Sequence, residues 1–160
     1  MVIPARLTAQ SGIDLGPAMY KATQRMVIEE ANELDGSELH CLTKAVYYEA
    51  RGEPTQGKAA VAWVILNRVS LGFASTICDV VNQGAGTATC QFSFVCAPNP
   101  APVNGLLFDL CRTVAYDVLV KRMYAGLVPG AINFHSVNID PGWSNLKLVR
   151  QVGTQLFYRR

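Results

Sequence analysis

Two glutamates, Glu49 and Glu53, stand in the stretch Ala45-Val46-Tyr47-Tyr48-Glu49-Ala50-Arg51-Gly52-Glu53. A carboxylic acid in a poorly solvated place keeps its proton to higher pH and can give it to a leaving group as a general acid. Glu49 is the candidate for that role. Leu39, Leu42 and Val46 recur at helical spacing and predict an inward apolar stripe, and Glu49 falls on it one turn after Val46. A carboxylate facing a core costs free energy unless it is paired or neutral. The plain alternative is a structural ion pair with Arg51 near the helix end, because such pairs also perturb pKa. Glu53 lies between Gly52 and Pro54, so the two carboxylates are not expected on one helical face. Asp79 and Asp140 are the other candidates for a second acid.

Two other chemistries are weaker. A thiol amidase would need Cys41 as nucleophile and a histidine as base. His40 is its chain neighbour, and adjacent helical residues do not face each other; His135 could reach it only through the tertiary fold. Zinc hydrolysis would need a ligand set, and neither His-Glu-x-x-His nor paired Cys-x-x-Cys is present. No metal and no organic cofactor are expected. Of the five cysteines, Cys41 and Cys111 fall in helical apolar patterns and read as buried thiols. Cys78, Cys90 and Cys96 surround a loop-rich stretch, where one disulfide would suit an exported protein.

The elements that must position these groups follow from periodicity and capping. Residues 1–36 read as an N-terminal extension with a packing helix from Gly16-Pro17, its face lined by Tyr20, Val27, Ala31 and Leu34. The remaining 37–160 form one domain. A capping box of Asp35 and Glu38 opens the Glu49 helix, and Gly52 is placed to end it in a left-handed cap. Gly57 to Val69 predicts a helix capped by Thr55, apolar on every side at its centre and so buried, with Asn67-Arg68 polarising its end. Gln91-Phe92-Ser93-Phe94-Val95 alternates with a period of two, as a short strand or hairpin arm would. Asn104 caps a long helix to about Ala125, with Leu107, Cys111, Val114 and Val118 inward. Ala131 to Ile139 turns to strand-like alternation, Asp140-Pro141-Gly142 is a turn, and Gln155 to Tyr158 predicts a last short strand.

Tyr47 to Glu53, followed by Gly57-Lys58-Ala59-Ala60-Val61-Ala62-Trp63-Val64-Ile65-Leu66-Asn67-Arg68-Val69, resembles the SleB/CwlJ cell-wall hydrolase family. Cys90-Gln91-Phe92-Ser93-Phe94, the Ile132 to His135 region and the ending Gly153 to Tyr158 agree in order. The resemblance implies an α+β, predominantly α, lysozyme-like domain with a small β-hairpin beside the cleft. It implies cleavage of the bond between N-acetylmuramic acid and N-acetylglucosamine, with Glu49 acting first as acid and then as base in a lytic transglycosylase. A hydrolytic muramidase, an N-acetylmuramoyl-L-alanine amidase and an inactive wall-binding module are the alternatives. Gln91 and Ser93 become saccharide contacts under the same resemblance, His135 a saccharide ligand, and Tyr47, Tyr48 and Trp143 aromatics able to stack on sugar faces. Phe134 departs from the family by lacking a tyrosine hydroxyl.

With 160 residues, half of them apolar and 16% charged, the chain can bury a real core. A net charge of +2 gives no case for nucleic acid as a partner. The partner that the resemblance implies is the peptidoglycan glycan strand, met by a monomer. The densest apolar run, Ala59 to Leu66, is too short to span a bilayer, so no stable membrane insertion is expected. The N-terminus lacks the pattern of a signal peptide. With the wall substrate that the resemblance implies, the expectation is synthesis in the cytoplasm and action in the periplasm or cell wall. A phage endolysin released through a holin, or a virion-borne lysin, would act in that way.

Overall fold

The computed structural model describes residues 38–160. The expected Asp35 cap and the helix over 17–34 lie outside the described residues. Five helices come first: α1 (Glu38–Ala50), α2 (Thr55–Ser70), α3 (Ile77–Val81), α4 (Ser93–Cys96) and α5 (Gly105–Leu119). Three strands close the chain: β1 (Asn133–Ser136), β2 (Lys147–Val152) and β3 (Gln155–Arg159). They form one antiparallel sheet in the order β1-β3-β2.

The helical half is built on α1 and α2. Leu39, Leu42, Ala45, Val46 and Tyr47 of α1 meet Ala59, Ala62, Ile65 and Leu66 of α2, with Cys111, Val114, Ala115 and Val118 of α5 closing the cluster. The apolar centre of α2 is buried all round, as its composition predicts, and this lets it serve two cores. Its other side, Ala60, Val61 and Val64, packs on Val152 and Phe157 of the sheet. Asn67 and Arg68 at its end are braces. The Asn67 amide donates to the carbonyls of Val128 (3.1 Å) and Ala131 (2.9 Å), and Arg68 Nε donates to Ile132 O (2.7 Å). These bonds fix the chain as it enters β1.

Several expectations are corrected. The segment 91–95 forms no strand: Phe92 is buried in the helical core, and Ser93–Cys96 closes into a single helical turn. Four residues of alternation are also compatible with a turn once one aromatic finds the core. The β-structure is supplied by the C-terminal sheet instead. Thr55 is the first residue of α2, after Pro54, and caps nothing. Gly52 does not take the left-handed conformation; α1 ends in a turn in which the Glu53 amide donates to Ala50 O at 2.9 Å. The long helix ends at Leu119, and Arg122, Tyr124 and Gly126 then turn the chain with positive φ. Asn104 does cap it, accepting from the Leu107 amide at 3.2 Å, but Leu107 itself is on the exposed side.

The cysteines differ most. Cys41 is bonded to Cys78 and Cys90 to Cys96, leaving Cys111 as the buried free thiol. The Cys41–Cys78 bond ties α1 to α3, and Glu38 reinforces it by accepting from the Ile77 amide at 2.6 Å. No described helix is long and apolar enough to cross a membrane.

Candidate active site

Glu49 lies in the last turn of α1, half-buried, where the apolar stripe places it. Its carboxylate has no hydrogen-bond or ion-pair partner among the described residues, and burial raises its pKa above the ordinary 4.5. The Arg51 pairing is not formed: the guanidinium sits over the Tyr47 ring, 5.2 Å from its centroid. Desolvation without a compensating cation favours the neutral acid.

Three parts of the chain pack on the last turn of α1, which carries Glu49. Tyr47 and Tyr48 hold the proline-rich loop, with Tyr47 Oη donating to Pro102 O (3.3 Å) and accepting from the Asn104 amide (2.8 Å). Tyr48 Oη donates to Ala101 O at 3.1 Å, and its ring stacks on Phe94 with centroids 4.7 Å apart. One face of Tyr48 is thus covered. Gln91 and Ser93 are exposed on the segment that carries Phe94. The third part is the β2–β3 turn. Gln155, nine-tenths buried, donates from Nε2 to the Glu49 carbonyl at 3.1 Å, while its Oε1 is buried without a partner.

Glu53 is close in sequence and different in state. Its carboxylate accepts from the Thr154 amide at 3.0 Å and from the Thr154 hydroxyl, and its carbonyl accepts from Lys58 Nζ. The two other candidate acids stand elsewhere. Asp79 is exposed in α3, and Asp140 folds back to accept from the Gly142 amide at 2.9 Å.

His135 and Trp143 are brought together, but not with the side chains that pack around the end of α1. Opposed residues of an antiparallel pair share a face. Phe134, Ser136, Gln155 and Phe157 therefore form one face, with Phe157 buried against α2, and His135, Leu156 and Tyr158 the other. On that second face lies a cleft of about 260 Å³ lined by His135, Ile139, Asp140, Pro141, Trp143, Leu156 and Tyr158. His135 Nδ1 lies 2.8 Å from the Ser136 carbonyl, which can only accept, so this nitrogen carries the proton. Nε2, 3.0 Å from Tyr158 Oη, then accepts from that hydroxyl. Both ring nitrogens are engaged, and Trp143 packs edge-on at 5.4 Å between centroids.

Cys41 is not a nucleophile, since its sulfur is in a disulfide, and the thiol amidase reading falls with it. Gln155, Thr154 and Tyr158 were not singled out by sequence. Their only signal is the agreement of Gly153 to Tyr158 with the family pattern, which carries no roles.

The helices and the small sheet are those of a lysozyme-like, mostly helical α+β domain. The catalytic domain of the germination-specific lytic transglycosylase SleB from Bacillus anthracis superposes with a TM-score of 0.59 at 21% identity, covering 76% of this chain and 93% of that domain. The catalytic domain of the Bacillus cereus SleB protein gives 0.59 and 21%, over 76% and 89%. In sequence, the spore cortex-lytic enzyme of Bacillus cereus is 37% identical over 78 residues, 48% of this chain. That of Bacillus subtilis is 32% identical over 93 residues, 57% of this chain. The matches span 30% of each relative's length. The Cell Wall Hydrolase family model matches residues 52–158, and the chain belongs to that family. The matched span begins just after Glu49 and includes the α2, Cys90–Phe94 and Ile132–His135 segments that carry the resemblance.

Proposed function

We propose that the protein cleaves the glycosidic bond between N-acetylmuramic acid and N-acetylglucosamine in peptidoglycan as a lytic transglycosylase, with Glu49 as its catalytic acid and base. The observation that carries this is a half-buried, unpaired carboxylate whose pKa is raised, with no second uncommitted acid beside it among the described residues. Glu49 protonates the glycosidic oxygen, the C1–O bond breaks, and positive charge develops at the muramic acid anomeric carbon. The resulting carboxylate takes the proton of that sugar's C6 hydroxyl, and O6 closes on C1 to leave a 1,6-anhydro end. No water enters. An ordinary glycosidase uses a second carboxylate as nucleophile or base. An intramolecular hydroxyl replaces that need, because held groups react as if at effective concentrations on the order of 10⁵–10⁸ M.

Cell-wall-directed family membership supports the substrate class, and the SleB catalytic domains support the fold that such a reaction would use. Gln91, Ser93 and Tyr48 extend from the Glu49 side as saccharide contacts, and His135 and Trp143 hold a sugar on the other face of the sheet. With both ring nitrogens engaged, His135 acts there as a shaped surface and not as a base. Lysis of a bacterial host by a phage-encoded enzyme is the biological setting proposed.

Mass spectrometry of fragments released from purified sacculi tests the reading. Muramic ends one water lighter than reducing ends, absent with Glu49→Gln, are expected. Reducing ends would move the reaction to hydrolysis, and free peptides with uncut glycan would replace it with an amidase.

A further inference from the structure

Glu53 is a half-buried acid whose two oxygens are both spent on one residue far away in sequence. One accepts the Thr154 amide and the other the Thr154 hydroxyl. The space for this is made by two glycines. A Cβ on Gly57 would lie 2.7 Å from Glu53 Cβ, and one on Gly153 would collide with the Glu53 carboxylate itself. Gly153 also has φ +59, a conformation that costs an L-residue about 1–2 kcal/mol. Lys58, nine-tenths buried, holds the same short connection from its other side through the Glu53 carbonyl. One residue further along β3, Gln155 binds the carbonyl of Glu49. The β2–β3 turn is therefore fastened at two points to the segment 49–53, once to Glu53 and once to the backbone of Glu49.

From this geometry we propose that Glu53 is a positioning residue: by latching the Gly153-Thr154 turn it seats Gln155 on the end of α1 and fixes where Glu49 stands. The proposal deepens the transglycosylase reading and rests on it. A carboxylate that accepts one bond on each oxygen from a single threonine is fixed in orientation by them. Its contribution is geometric, since small displacements of a catalytic group cost large factors in rate. The latch joins the two halves of the fold, the helix that carries Glu49 and the sheet, at the point where that acid emerges. It also explains why one short stretch carries two glutamates of which only one is unpartnered.

The test compares Glu53→Ala, Thr154→Val, their double variant and Glu53→Gln on soluble, uncrosslinked glycan strands, reading kcat, KM and the pH dependence of anhydro-end formation. Glu53→Ala and Thr154→Val should each lower kcat by tenfold or more with KM within about twofold, and the double variant should be no worse than the worse single. Glu53→Gln should recover most of the rate, because its amide oxygen accepts the Thr154 amide and its amide N–H donates to the threonine hydroxyl. In Glu53→Ala the fall of kcat at high pH should move to lower pH, as Glu49 becomes better solvated. Thr154→Val leaves the backbone bond in place and keeps the test valid if Glu53→Ala folds poorly. Glu53→Gln as inactive as Glu49→Gln, with one limb of the pH profile gone, would make Glu53 a catalytic acid or base and overturn the latch. A lower Tm with unchanged kcat and pH profile would reduce it to a scaffold contact, which also overturns it. Full activity in Glu49→Gln would overturn the reading of Glu49 on which the latch rests, an outcome distinct from the other two.

Discussion

The two faces of the C-terminal sheet are built from alternate residues of the same strands, yet they do different work. Phe157 and Val152 are buried against α2, and Gln155 reaches from that region to the backbone of Glu49. His135, Leu156 and Tyr158 look the other way, onto a half-open aromatic cleft. The packed face is tied to the end of α1 through the Gln155 amide, which donates to the Glu49 carbonyl. The open face presents aromatic rings and a few polar edges. A period of two thus lets five residues of β3 line both a packed face and an open cleft.

Substitutions can break that contrast, and the expected effects fall in order. Glu49→Gln should lower anhydro-end formation by about 10²–10⁴-fold, the range of a general acid or base, with the fold intact by circular dichroism. Its stability should move the other way. A carboxyl whose pKa is raised on folding favours the folded state fully only below its unfolded value, near 4.5, and that contribution is lost as pH rises towards the folded value. Thermal melts should therefore show Glu49→Gln more stable than wild type at pH 7 and the gap closing below pH 4.5. Phe157→Ala on the packed face should cost about 3–5 kcal/mol in denaturant unfolding, as for other buried aromatics. Gly153→Ala forces an L-residue into a left-handed position against Glu53, and should lose about 1–2 kcal/mol from the backbone alone together with part of the rate. Trp143→Ala on the open face should be the mildest. A few-fold rise in KM, about 0.5–1.5 kcal/mol, with kcat unchanged would sharpen the division between faces; an equal fall in kcat would erase it.

The helical frame was legible because burial there follows chain periodicity. Leu39, Leu42 and Val46 predict the face of α1, the unbroken apolar run predicts that α2 is central, and Asn104 does cap α5. The inward place of Glu49 came from the same periodicity. What failed to show depends on partners distant in sequence. Cys41 looks like a core thiol in its helix, and only the arrival of α3 makes it half of a disulfide with Cys78. Glu38 also binds the start of α3, a contact that the local pattern does not announce. β2 has no apolar alternation because five of its six residues are not buried, so nothing in Lys147–Val152 announces a strand. Phe92-Ser93-Phe94 alternates like a strand and forms a turn, with Phe92 buried, Phe94 stacked on Tyr48 and the Cys90–Cys96 disulfide spanning the segment. The difference between Glu49 and Glu53 was half legible. Periodicity separates them, but only the turn at Thr154 shows that one is committed and the other is not.

Whether burial holds the Glu49 carboxyl above its ordinary pKa is tested most directly by its own titration. With glutamate carboxyls labelled with ¹³C and the Glu49 signal assigned by its loss in Glu49→Gln, the account predicts a midpoint above 4.5 in the folded protein. A midpoint at or below 4.5 would mean that the carboxylate is solvated or paired, and would contradict both its role as proton donor and the account of the site built around it.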